Sequence, residues 1–153
     1  MNDKIFITKE KEKELQEEIK VLIDVKRKEI ADKLEWYRDN IEDEETHSAF
    51  SEVLEEKGLM EEKIREIKEI LTEASIIGKV STDTISIGNK VKIKIGSKEV
   101  EYMIVSEIEA DPAVAKISNK SPIGSVLLGK TKGDEVEVET PGGKKKYKII
   151  GIS

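Results

Sequence analysis

Glu42, Asp43, Glu44 and Glu45 stand in unbroken succession within the stretch DNIEDEETHSA, with His47 two residues further on. Four adjacent carboxylates repel one another. A chain keeps such a run either as solvated surface, or as the charged start of a helix whose macrodipole favours acids, or because it uses the negative charge. His47 has no partner in the sequence and reads as an exposed loop residue, with orienting a water or touching a phosphate as its functional alternative. Two basic clusters, Lys26-Arg27-Lys28 and Lys144-Lys145-Lys146, read first as a solvated helix face and as a lysine-protected edge strand. What any of these groups does depends on the elements that carry them.

Nine of the ten glycines and all three prolines lie at or after Gly78, so residues 1–77 are nearly free of helix breakers. Apolar residues there recur at helical spacing. Phe50, Val53, Met60, Ile64, Ile67, Leu71 and Ala74 follow alternating steps of three and four, with Lys57 in one slot, which is a heptad seam. A first stripe runs through Leu15, Ile19 and Leu22, then Ile30, Leu34, Tyr37 and Ile41. Thr8 is the expected N-cap of that helix. Two such stripes bury best against each other, and the short link makes the helices antiparallel. Each helix is expected to hold roughly 25–33 residues, so the longer spans on the order of 45–50 Å. The four acids fall between Ile41 and Phe50, at the tip of this hairpin. Trp36 and Tyr37 are expected in or beside the seam.

After Gly78 the apolar period changes to two. Val91, Ile93 and Ile95 alternate with lysines, Gly96-Ser97 signals a two-residue hairpin turn, and Val100, Tyr102 and Ile104 alternate on the return. Val136 and Val138 precede Thr140-Pro141-Gly142-Gly143, where Pro141-Gly142 fits a type II turn, and Tyr147 and Ile149 follow. Between the hairpins, Ser121 as N-cap and Pro122 at the first helical position predict a short helix ending near Gly129. The expected fold class is α+β: an N-terminal antiparallel coiled-coil hairpin over 1–77, then a small, mostly antiparallel β domain with one short helix over 78–153.

The chain carries 14 basic against 23 acidic residues in 1–77 and 13 against 10 in 78–153. An acidic front half argues against direct or sequence-specific binding of duplex DNA, which needs a basic stripe. There is no cysteine, hence no disulfide framework and no thiolate metal site. With neither a membrane-length apolar run nor a secretory h-region, a cytoplasmic protein with no membrane partner is expected.

Specific stretches now stand out. EAD at Glu109–Asp111, ISNKSPIGSVLLGK, GDEVEVETPGG and the final YKIIGI resemble the C-terminal domain of the GreA/GreB family of bacterial transcription elongation factors. LQEEIKVLIDVKRKEI and EKIREIKEIL resemble the two arms of that family's coiled coil. The resemblance implies an FKBP-like globular domain that docks at the rim of the secondary channel of bacterial RNA polymerase, with Ser121 and Pro122 in the docking surface. It further implies a coiled coil that enters the channel, where Lys26, Arg27 and Lys28 could approach RNA phosphate or the channel wall. The acidic tip would help hold a catalytic Mg2+, so that the polymerase itself cleaves the 3′ end of backtracked RNA. The factor acts on the nascent RNA only indirectly and is not itself an enzyme. Some relatives carry an acid or amide where this chain has Lys120.

The tip departs from the family pattern of an Asp-x-x-Glu pair. Counting forward from Thr8 puts those acids on Glu42 and Glu45; counting backward from Gly58 puts them on Asp43 and Thr46. The counts differ by one residue, which implies an insertion near the tip. The forward register keeps an acid-x-x-acid pair and is the expected one. Residues three apart share a side of a helical turn, so Glu42 and Glu45 would face one magnesium ion, supported by Asp43 and Glu44; such an ion takes one or two carboxylates and retains waters. The rival within the family is a channel-binding inhibitor of the polymerase. From other classes come a prolyl isomerase, which would need an aromatic-lined pocket built from Tyr102 and Tyr147, and a coiled-coil chaperone with apolar tips.

Overall fold

The computed structural model describes residues 4–153. The chain folds into two compact units, one made of the residues up to Lys11 together with Ser75–Ser153, the other of Glu12–Ala74. The sequence division at 77/78 therefore differs from the folded units at the N-terminus, where a short strand joins the β domain.

In the helical unit the first arm comprises α1 (Lys9–Val21), a π-helical turn (Leu22–Lys26) and α2 (Arg27–Asp39). The π turn has a cause in the sequence. From Leu22 to the next seam residue, Ile30, is one residue more than a heptad. A single π turn absorbs that extra residue and returns the stripe to the partner helix. The second arm is α3 (Glu44–Glu73), 30 residues long, or about 45 Å.

Ion pairs descend one arm as they climb the other, as antiparallel packing requires: Glu18 with Lys63, Arg27 with Glu61, Lys33 with Glu56. The seam buries Ile30, Val53, Met60 and Ile64, with Ile19, Leu22, Leu34 and Tyr37 packed around them. Ile41 does not extend the seam. The Asn40 side-chain amide donates to the Trp36 carbonyl (2.6 Å) and its backbone N–H to the Tyr37 carbonyl (3.1 Å). The helix ends there and Ile41 lies beyond it, exposed. Trp36 is 57% exposed and meets Tyr37 edge-on, 5.0 Å between ring centres, so it flanks the seam rather than entering it.

Among the described residues the other unit holds seven strands: β1 (Phe6–Ile7), β2 (Ser75–Ile76), β3 (Lys90–Ile95), β4 (Lys98–Val105), β5 (Lys116–Ser118), β6 (Glu135–Thr140) and β7 (Gly143–Ile152). The main sheet runs β5-β4-β3-β7-β6, antiparallel except for the β4–β5 pair; β1 and β2 form a separate parallel pair. Val91, Ile93, Ile104, Val136, Val138, Tyr147 and Ile149 line one face, where Ile85 and Leu127 of α4 (Pro122–Leu127) close the core. Gly96 supplies the positive φ (+61°) that a type II′ hairpin needs at its first central residue. In the second hairpin the positive φ falls on Gly143 (+106°), not on Gly142, so the turn is not the expected type II. The Thr140 hydroxyl donates to the Gly143 carbonyl (2.6 Å) and closes it.

Candidate functional site

The four acids lie where the hairpin turns, all exposed. Asp43 is the N-cap of α3. Its backbone is extended (φ −145°, ψ −178°), and its Oδ1 accepts from the Thr46 N–H and the Thr46 hydroxyl, both at 2.8 Å. The Thr46 hydroxyl accepts in turn from the N–H groups of Asp43 (3.2 Å) and Glu42 (3.1 Å). This reciprocal pair is a capping box that satisfies donors otherwise left open at the helix start. The Thr46 backbone N–H first, then its hydroxyl, hold the Asp43 carboxyl below the usual carboxylate range.

Glu44 and Glu45 occupy the first turn of α3, where the macrodipole favours them. Glu42 precedes the helix. The premise that Glu42 and Glu45 share one helical turn is therefore not met, because the cap stands between them. The pair spaced by three that the fold brings together is Asp43 with Thr46, the pair reached by counting backward from Gly58. Both capping bonds fall on Oδ1, so the carboxylates of Glu42, Glu44 and Glu45 and the Asp43 Oδ2 lie outside the capping pair. Among the described residues no group of three or more His, Asp or Glu side chains is arranged to hold a metal ion. The donor chemistry nonetheless fits magnesium, a hard cation that takes one or two carboxylates from a protein and fills its shell from elsewhere. His47 is exposed, with its N–H in the helical ladder to the Asp43 carbonyl (3.1 Å).

The basic cluster divides. Lys26 pairs with Glu29 (3.2 Å). Arg27 makes a bidentate pair with Glu61, 2.8 Å from Nε and 2.7 Å from Nη2. Each partner favours the other's charge: the Glu61 hydrogen bond raises the Arg27 pKa, and the Arg27 hydrogen bond lowers that of Glu61. Arg27 thus joins the arms, while Lys28 is exposed.

In the β unit Ser121 caps α4 as expected: its hydroxyl accepts from the Gly124 N–H (3.0 Å) and donates to the Ser118 carbonyl (2.7 Å). Pro122 follows, exposed at the first helical position. A Cβ at Gly124 would run into the Ser118 carbonyl, so the loop closes only over glycine. Beside it opens a cavity of about 520 Å³ whose walls include Phe6, Ile87, Ser106, Ile108, Asn119 and Lys120. The Ser106 hydroxyl there is buried without a hydrogen-bond partner. Lys120 reaches Glu107 (3.7 Å). Tyr147 is in the core and Tyr102 is only partly buried, so the two do not form the aromatic pocket an isomerase would need. Sequence reading missed the cavity because Phe6, Ser106 and Asn119 are far apart in the chain.

A helical hairpin with an acidic, exposed turn and a small β domain together define a two-part protein. Residues 5–76 match the family described as "Transcription elongation factor, N-terminal", and residues 80–153 match "Transcription elongation factor, GreA/GreB, C-term". The chain is 39% identical over 153 residues to transcription elongation factor GreA of Clostridium acetobutylicum, covering 97% of this chain and 96% of that protein. It is 40% identical over 154 residues to the GreA of Clostridium botulinum, covering 98% and 96%. Among solved structures, the GreA factor homolog 1 (Gfh1) protein of Thermus thermophilus aligns over 99% of both chains with a TM-score of 0.46 and 24% identity. The chain belongs to the GreA/GreB family of transcription elongation factors. It is accordingly an accessory factor and not an enzyme in its own right.

Proposed function

We propose that this protein binds RNA polymerase at its secondary channel and stimulates the polymerase's own cleavage of backtracked RNA by presenting tip carboxylates to a magnesium ion. Membership of a family that acts on RNA polymerase supports the partner. The observation that carries the reading is the exposed tip, where Asp43 is spent on the cap through Oδ1 while Glu42, Glu44 and Glu45 stay outside it. Glu42 and Glu45 are the metal-presenting groups in this reading, with Asp43 and Glu44 in support. A magnesium ion held between factor and polymerase stabilises attacking and leaving oxygens of the displacement. Ser121 and Pro122 belong to the docking surface, and Lys28 is the member of the basic cluster left to approach RNA or the channel wall. The proposed site of action is the cytoplasm.

One observation favours a second reading, a channel-binding inhibitor. The i,i+3 pair that shapes this tip has threonine, not an acid, at its second position. Adding the protein and magnesium to stalled, backtracked polymerase distinguishes the two. Release of short 3′ fragments by wild type but not by the Glu42→Ala/Glu45→Ala double variant supports stimulation. Suppressed cleavage supports inhibition, and no effect with binding confirmed rejects both.

A further inference from the structure

The main sheet ends on two edges that the chain treats differently. At β5, three residues long, Asp111 bridges the first residue: its N–H donates to the Lys116 carbonyl (2.9 Å) and its carbonyl accepts from the Lys116 N–H (3.0 Å). The other edge is β6, six residues long, or about 20 Å. Lys144, Lys145 and Lys146 lie on β7, which runs between β3 and β6, so the strand expected from sequence to be a lysine-protected edge is an interior one.

The pairing shows what β6 leaves open. The Ile149 N–H donates to the Asp134 carbonyl (2.9 Å), and the register continues as Val136 with Tyr147, Val138 with Lys145 and Thr140 with Gly143. In an antiparallel pair, bonded and non-bonded positions alternate along a strand. The N–H and C=O groups of Glu135, Glu137 and Glu139 therefore point away from β7. Among the described residues no strand pairs with them on that side. Val136 and Val138 are buried on the inner face, while the three glutamates stand exposed on the outer one. Their cross-strand neighbours are Lys148, Lys146 and Lys144, yet none of the three glutamates makes an ion pair with a described residue.

Sheets commonly blunt an open edge with proline, a bulge, an inward-pointing charge or a covering segment. β6 contains no proline, its register with β7 is unbroken, and its buried inward positions are valines. Its guard is the row of glutamates, and that guard is selective. Two β6 strands from two copies would set carboxylate beside carboxylate in either direction, which is destabilising. A strand with lysine or arginine at alternate positions would instead meet three opposite charges. Its intervening residues would extend the apolar face beside Val136 and Val138. We propose that the β6 edge is a docking site for an extended basic segment of a partner protein, which adds to the sheet as a further strand. The site shares no residue with the acidic tip or with Ser121 and Pro122.

The test uses the whole chain, isotope-labelled, and a synthetic peptide of about eight residues that alternates lysine with valine. Backbone amide shifts follow the titration, and amide exchange at Glu135, Glu137 and Glu139 is timed with and without peptide. Saturable binding is expected, with exchange at those three amides slowed about tenfold and Val136 and Val138, already bonded to β7, little changed. A peptide N-methylated at the amides that face β6 should not bind, nor should one that alternates glutamate with valine. The triple variant Glu135→Lys/Glu137→Lys/Glu139→Lys should bind at least about tenfold more weakly. If that variant does not fold, Glu135→Gln/Glu137→Gln/Glu139→Gln takes its place, with an expected weakening of about threefold or more.

No saturable binding at millimolar peptide overturns the proposal. So does equal binding of the N-methylated peptide, which would make the contact mere charge attraction, or protection that falls elsewhere than on these three amides. Self-association of the free protein that protects the same amides also overturns it, because the edge then belongs to a second copy.

Discussion

The tip of the hairpin and its root both use a carboxylate and a threonine at the start of a helix, yet they are built in opposite ways. At the tip, exposed Asp43 and half-buried Thr46 are three residues apart, and every bond between them is local. At the root, Glu109 accepts from the Thr8 N–H (3.1 Å) and hydroxyl, and the two residues are buried and come from distant parts of the chain. Local bonds in water fix a turn at little cost and leave neighbouring charges free to meet a partner. Long-range bonds in the interior exist only when the whole unit has folded.

The sharpest way to break this contrast is to truncate each carboxylate's site. Glu109→Ala strands the buried Thr8 N–H and hydroxyl and leaves the half-buried Lys116 ammonium without that partner, so a loss of about 2–4 kcal/mol is expected in denaturant unfolding of the β unit. At the tip, Thr46→Ala removes one hydroxyl that bridges the cap, with an expected loss of about 0.5–1 kcal/mol. Equal losses at the two ends would contradict the comparison.

Acid titration sharpens it further. The Asp43 pKa is lowered in the folded chain by the Thr46 N–H and hydroxyl. Its contribution is therefore present above the ordinary carboxylate value and is lost as pH falls through the depressed one. Wild type should exceed Asp43→Asn in stability at neutral pH, and the two melting curves should converge in acid. A difference that persists unchanged at low pH would mean that the charge of Asp43 does not support the cap.

The smallest effect is a gain. Ala115, next to Lys116 of the root, is the one non-glycine residue with positive φ (56°) among the described residues. Ala115→Gly relieves that conformation and should stabilise the β unit by about 0.5–1 kcal/mol in the same unfolding assay.

Much of this was legible in the sequence. The three-four spacing marked Val53, Met60, Ile64 and Ile67, all buried. Thr8 and Ser121 cap helices where their side chains and neighbours indicate. The alternation at Val91, Ile93, Val136 and Val138 marked the inner face of the sheet. These signals are local and periodic. The end of α2 was not legible, since Ile41 has the right spacing and only the Asn40 bonds exclude it. Nor were β1 and β2, two residues each, too short to show a period. At the tip, capping chemistry and family spacing competed for the same acids, and the cap went to Asp43 rather than completing a turn from Glu42 to Glu45. The root escaped notice because a bond across 101 residues leaves no pattern in either segment.

If the tip carboxylates bring magnesium to the polymerase, a magnesium titration shows it. Cleavage by stalled polymerase is followed against Mg2+ concentration with no factor, with wild type, and with Glu42→Ala/Glu45→Ala. Wild type should lower the magnesium needed for half-maximal cleavage, and the double variant, bound equally well, should not. Identical magnesium dependence for wild type and double variant would contradict it.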